Sequence, residues 1–210
     1  MKNKRFATEK WKRHYFAIYA ILCSLFICSA CISVTQRSFS DTENWSEKGN
    51  WDGNVYSNEW LNITFVLPEG YIIMQTDSLS DAPLHLVTYD FCIAAEDDSV
   101  IIALTYFNVS FAEAQDETAE SYYEKVKAQL ANNPNRTRIY PESYEIENIA
   151  GTEYLVMRLE YYDHHNPTEV RYQDSYVCRW DDAIVVFIAT HAEEARKSID
   201  AFFTSICQLR

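Results

Sequence analysis

From residue 55 onward, apolar residues recur at the two spacings that separate strands from helices. Runs that alternate apolar with polar residues, or that are rich in β-branched and aromatic residues, predict strands. These runs occupy 55–56, 61–67, 71–74, 86–95, 100–109, 144–149, 154–162, 170–180 and 183–190. Glu96-Asp97-Asp98-Ser99 separates two of the runs and predicts a tight acidic turn in a hairpin.

Two helices are predicted where the spacing changes to three or four residues. The first has an apolar stripe formed by Ala119, Tyr122, Tyr123, Val126 and Leu130. Asp116 or Thr118 caps its start, and Asn132-Asn133-Pro134 ends it. The second has an apolar stripe formed by Ile199, Phe202, Phe203 and Ile206. Before it, Thr190 and Glu193 have the spacing of a capping box.

This order of elements predicts an α+β fold. Strands, a helix, more strands and a closing helix are typical of an antiparallel β-sheet flanked by helices. The chain has 210 residues, which suits one domain with a leader segment rather than two cores.

The N-terminal pattern differs from the rest and predicts a membrane segment. Residues 15–34 contain no charged side chain and as a helix would span roughly 30 Å, the thickness of a bilayer core. Basic residues precede this stretch, which places its start in the cytoplasm and the following chain outside. We therefore divide the chain into a signal peptide or membrane anchor (1–31), a polar tether (32–53) and an α+β domain (54–210).

Two modes of anchoring remain open at this segment. Cys28-Ser29-Ala30-Cys31 resembles the lipobox of bacterial lipoproteins, which predicts cleavage and acylation at Cys31, although Cys28 replaces the usual Leu. The alternative is an uncleaved helix that spans the bilayer. Both place the protein at the cell membrane with its domain on the extracytoplasmic side.

The charge distribution narrows the range of partners. The net charge is −13, but residues 1–30 carry +5, so the remainder carries −18. Nucleic acids and anionic lipid headgroups attract basic patches and repel such an acidic body. We expect the membrane to be reached through the N-terminal segment, an unknown envelope protein or ligand to be the partner, and no nucleic acid to bind.

The domain resembles a known family. Tyr56-Ser57-Asn58-Glu59-Trp60, the strand that ends in Leu67-Pro68-Glu69-Gly70, the hairpin over 172–190 and the final helix with Phe202 and Phe203 are similar to the PsbP-like domain of bacterial, Gram-positive-type lipoproteins. The resemblance covers residues 54–210. It implies a non-enzymatic accessory role, and no functional residue is carried over from the family, whose members have different partners.

A metal site is the alternative reading. Asp163, His164 and His165 lie between two predicted strands, and imidazoles beside a carboxylate can ligate a divalent metal. Adjacent side chains on an extended chain point to opposite faces, which favours a polar turn. The alternative function is a metal-assisted envelope enzyme that uses Asp163 and either His164 or His165.

The sequence contains no other catalytic or cofactor-binding motif. The chain has four glycines and no GxSxG or phosphate-binding glycine loop, so we expect no cofactor and no catalytic residues. Cys92, Cys178 and Cys207 lie far apart in apolar runs, which predicts buried free thiols, with a disulfide between one pair as the alternative. The leading hypothesis is a membrane-tethered, non-catalytic accessory or binding module.

Overall fold

A computed structural model describes residues 49–74, 87–97, 99–108, 116–131, 138–162 and 170–209. These residues form two antiparallel sheets, two α-helices and one short 3-10 helix. The predicted α+β fold with antiparallel strands is confirmed. The strands divide between two sheets, whereas the sequence pattern predicted one.

The smaller sheet gathers the beginning and the end of the described chain. Its strand order is β1-β2-β3-β11. The strands are β1 (Asn50–Asp52), β2 (Val55–Asn58), β3 (Ile63–Val66) and β11 (Cys207–Gln208). β1 lies within the stretch assigned above to the tether. Its Trp51 packs against Phe65, with 5.6 Å between the ring centroids.

The larger sheet has seven strands in the order β4-β5-β6-β10-β9-β8-β7. Its strands are β4 (Tyr71–Ile73), β5 (Val87–Ala95), β6 (Val100–Asn108), β7 (Arg138–Ile149), β8 (Thr152–Tyr162), β9 (Val170–Trp180) and β10 (Ala183–His191). All neighbours are antiparallel. The predicted acidic turn joins β5 to β6, and a second hairpin joins β9 to β10, as the sequence indicated.

The larger sheet has buried side chains on both faces, because side chains alternate along a strand. On β10, Val185 and Phe187 point to the face that packs on the smaller sheet. Ile184 and Val186 point to the opposite face. The core is therefore built in two layers, one on each side of this sheet.

The helices lie on opposite faces of the larger sheet. α1 (Ala119–Ala131) places Tyr123 and Val126 against Met157 and Leu159 of β8. α2 (Arg196–Ser205) belongs to the other layer and is preceded by a 3-10 helix, Glu193–Ala195. The rings of Phe203 in α2 and Tyr176 in β9 have centroids 4.1 Å apart.

The two predicted helix starts have different outcomes. Thr118 caps α1 as predicted: its Oγ1 accepts the Ser121 N–H at 3.1 Å, and Ser121 Oγ accepts the Thr118 N–H at 2.9 Å. The capping box at Thr190 and Glu193 is wrong. Thr190 is still in β10, paired with Gln173, and Ala192 occupies the N-cap position. Because Thr190 is part of a paired strand, it does not lie at the N-cap position of the helix.

The described helices are too short or too polar to cross a bilayer. The predicted membrane segment, residues 15–34, falls outside the described part of the chain.

Candidate functional site

The residues that the sequence singled out for chemistry lie outside the described ranges. These residues are Cys31, Asp163, His164 and His165. Within the described ranges, no group of three or more His, Cys, Asp or Glu side chains is arranged to hold a metal ion. Lipidation and the metal site therefore stay predictions.

The structure brings together a polar cluster that the sequence analysis missed, centred on Asp90. β5 has a register shift between Tyr89 and Phe91 in its pairing with β6, which marks a β-bulge at Asp90. A bulge adds one residue and changes the direction of the neighbouring side chains. Tyr89 consequently packs against the α1 face, while Phe91 and the Asp90 carboxylate face the smaller sheet.

Four donors converge on the Asp90 carboxylate. The Gly49 backbone N–H donates to Oδ1 at 2.7 Å. Oδ2 accepts Asn58 Nδ2 at 3.0 Å and the hydroxyls of Tyr56 and Tyr106. A Cβ on Gly49 would overlap the Tyr56 ring. The cluster thus fastens the start of the described chain to both sheets, and only glycine fits at that position.

The cluster holds its two tyrosines in the neutral form. Burial and the Asp90 charge raise the pKa of Tyr56 above its usual value. Burial, together with the Tyr56 and Asp90 charges, does the same to the pKa of Tyr106. Both hydroxyls therefore remain donors, and the cluster has a structural role.

A second buried carboxylate, Asp174 on β9, joins α2 to the larger sheet. Its side chain is 1 % exposed and accepts Arg196 Nη1 from α2. Arg158 Nε on β8 is 3.8 Å from Asp174 Oδ1. Arg158 also donates to Glu145 and Glu147 of β7. The charges form a chain that runs from β7 across the sheet to the helix.

His191 lies beside this network. Its Nδ1 is 2.7 Å from the Ala192 carbonyl oxygen, which can only accept, so Nδ1 carries the proton. Nε2 is 3.4 Å from Asp174 Oδ2, but outside hydrogen-bond geometry, and has no other hydrogen-bond partner among the described residues. The Tyr172 ring stacks on the imidazole with 5.8 Å between centroids. His191 is thus held between an aromatic ring and the Asp174 network.

The predicted cysteine states are partly confirmed. Cys92 and Cys178 are buried free thiols, and burial raises the pKa of each to about 12. Cys207 is also free, but it is exposed, so its predicted burial is wrong. It lies on the two-residue strand β11 at the margin of the smaller sheet, where an apolar local sequence does not ensure burial.

A sequence signal existed for both carboxylate clusters. Asp90 interrupts the apolar run of β5, and Asp174 stands in a long strand between Gln173 and Ser175. A charge inside a strand otherwise fit for burial needs partners, because an unpaired buried charge is costly. The partners themselves come from distant parts of the chain and leave no local pattern.

The surface of the described domain includes apolar side chains on three strand groups. These side chains are Val55, Val66, Ile72, Ile73, Tyr144 and Ile146. Val55 and Val66 form a cross-strand pair in the smaller sheet. Tyr144 and Ile146 lie on β7, the last strand of the larger sheet.

Comparisons with known proteins give similar solved structures only. No protein-family model matches the chain, and no curated protein matches it. LpqN, described as involved in cell envelope biogenesis of Mycobacterium tuberculosis, is 14% identical with a TM-score of 0.45, over 70% of this chain and 83% of LpqN.

Two further structures have comparable scores. The PsbP protein of Synechocystis sp. PCC 6803 (CyanoP) is 14% identical with a TM-score of 0.45, over 77% of this chain and 98% of that protein. The Saccharomyces cerevisiae Ran-binding protein Mog1p is 13% identical with a TM-score of 0.40, over 66% of this chain and 78% of that protein. The PsbP-like resemblance adds no site residue.

Proposed function

We propose that this protein is an exported accessory or binding module, held at the extracytoplasmic face of the cell membrane by its N-terminal segment. The uncharged stretch at 15–34 behind a basic flank supports the tether. The acidic body that follows supports a partner other than nucleic acid or the anionic lipid surface.

The observation that supports a binding role is that the buried carboxylates are already paired with groups of the protein itself. Asp90 accepts four donors from the protein itself, and Asp174 is paired with two arginines. These carboxylates hold elements of the fold together, and a reactant would have to displace their partners. Among the described residues, the sheet surface with its exposed apolar side chains remains available to another molecule.

The membrane arm of the proposal has a direct test. Producing cells are fractionated, and the mass of the intact protein is measured after extraction with detergent. Acylation at Cys31 predicts loss of the preceding residues and addition of lipid mass, with Cys31→Ser preventing both. A spanning helix predicts the full-length mass in the wild-type protein and in Cys31→Ser alike.

Two results would contradict the proposal. Intact protein that stays in the cytosolic fraction would remove the tether. A stoichiometric divalent metal that is lost when His164 and His165 are both replaced by alanine would favour the metal-assisted enzyme instead.

A further inference from the structure

The outer edge of β7 is a strand edge that could pair with another molecule. β7 (Arg138–Ile149) is the last strand of the larger sheet, and among the described residues it pairs only with β8. A free edge presents backbone N–H and C=O groups that can pair with another strand.

The hairpin between β7 and β8 fixes which backbone groups face outward. Its loop is Ala150-Gly151, both with positive φ (50° and 85°), and Ile149 and Thr152 form the closing pair. In a two-residue hairpin of this kind, the closing pair shares hydrogen bonds, and every second residue does the same. The N–H and C=O groups of Ile146 and Asn148 therefore point away from β8.

Two neighbouring side chains on one face of this edge are apolar and exposed. Ile146 is 57% exposed, and Tyr144, on the same face, is 40% exposed. The Tyr144 ring contacts Tyr123 of α1, with 5.7 Å between centroids. Ile146 pairs across the hairpin with Leu155, a buried member of the core under α1. The apolar core under α1 therefore continues to exposed side chains at the sheet edge, and one additional strand would cover these side chains.

The opposite face of the same strand is acidic. Glu145 and Glu147 have side chains 52% and 38% exposed, and both pair with Arg158. Arg158 also lies near Asp174, so carboxylates outnumber cations in this part of the network. A second copy of β7 would bring further glutamates to this face, and like charges on paired strands are destabilising.

We propose that the β7 edge binds an extended segment of a partner protein by strand addition, with apolar residues of that segment alternating with lysine or arginine. This inference rests on the proposed binding function and names the chemistry of the partner. The apolar residues cover Ile146 and Tyr144, and the basic residues meet Glu145 and Glu147. Backbone bonds to Ile146 and Asn148 set the register.

The test uses the full chain in mild detergent and a fluorescent synthetic peptide of alternating valine and lysine, measured by fluorescence anisotropy. We expect saturable binding. Ile146→Pro removes an outward N–H without removing a β8 bond, and we expect at least a roughly tenfold loss of affinity.

A second pair of variants separates the edge from general surface apolarity. Ile146→Asp is compared with Val66→Asp, since Val66 is similarly exposed at 55% but lies on β3. We expect the first to weaken binding and the second to leave it within roughly twofold. Circular dichroism confirms that each variant is folded.

Several outcomes would overturn the inference. If a valine–glutamate peptide binds as tightly as the valine–lysine peptide, Glu145 and Glu147 do not select basic residues. If wild-type protein and Ile146→Asp bind the peptide with equal affinity, the peptide does not bind at the β7 edge. A concentration-dependent dimer that Ile146→Pro abolishes, without peptide binding, would assign the edge to a second copy. If the protein fractionates with membranes but does not bind the peptide, the proposal of strand addition at the β7 edge is wrong, and the proposed membrane tether is unaffected.

Discussion

The Asp90 carboxylate replaces water with four donors supplied by distant parts of the chain. They come from Gly49, from β2 through Tyr56 and Asn58, and from β6 through Tyr106. A buried carboxylate is tolerated only when such donors compensate its lost hydration. A tyrosine hydroxyl can donate only while it is protonated, so this arrangement ties the stability of the domain to pH.

Stability is expected to fall above about pH 10, where tyrosine normally ionises. The pKa values of Tyr56 and Tyr106 are raised by burial and nearby charge, so the unfolded chain loses these protons first. Each tyrosine kept protonated in the folded state lowers the free energy of unfolding by about 1.4 kcal/mol per pH unit above that point.

Tyr56→Phe removes one such proton and should make the alkaline decline shallower by about that amount. The measurement is urea unfolding of the full chain in detergent at several alkaline pH values, followed by tryptophan fluorescence. A decline with the same steepness in Tyr56→Phe would show that Tyr56 ionises normally in the folded protein.

At the scale of elements, α2 is fixed to the larger sheet by apolar and ionic contacts. Ile199, Phe202 and Phe203 are buried on its inner face. At its first residue, Arg196 reaches the buried carboxylate of Asp174 on β9. Removal of one partner of a buried pair leaves the other charge without compensation, which costs more than the loss of a surface pair.

Arg196→Ala should therefore lower the free energy of unfolding by roughly 2–3 kcal/mol, somewhat less than for a fully buried pair, since Arg158 stays near Asp174. Lys197→Ala is the matched control. It removes the same charge from the next residue of α2, which is exposed, and should change stability by less than about 0.5 kcal/mol. Equal effects of the two substitutions in urea unfolding would refute the anchoring role of Arg196.

In the whole domain, one aromatic core joins the two sheets and α2. The Phe65 ring of the smaller sheet lies 5.3 Å from Phe91 of the larger sheet and 5.0 Å from Phe202 of α2, between centroids. Its side chain is 3 % exposed. Because the layers share this core, the described domain should unfold as one cooperative unit.

Phe65→Ala is expected to lower the free energy of unfolding by about 3–5 kcal/mol while preserving a single transition. Val66→Ala, at the exposed neighbouring position, should change it by less than about 0.5 kcal/mol. Tryptophan fluorescence and circular dichroism, recorded on the same urea series, report on different parts of the fold. Non-coincident transitions from the two signals would mean that the sheets unfold separately.

Sequence alone was sufficient where a feature depends on neighbours along the chain. Strand and helix periods follow from local alternation, and Thr118 caps α1 through residues three positions apart. The hairpin from β5 to β6 likewise follows from two apolar runs and a short acidic turn.

Tertiary structure alone decided the features that depend on distant partners. Thr190 extends β10 because Gln173 is its strand neighbour, and Cys207 is exposed because β11 lies at a sheet margin. Asp90 and Asp174 became centres of the fold through donors that the sequence pattern does not bring together. The physical reason is that hydrogen bonding and charge compensation depend on distance in space, whereas periodicity reports only which face of an element is buried.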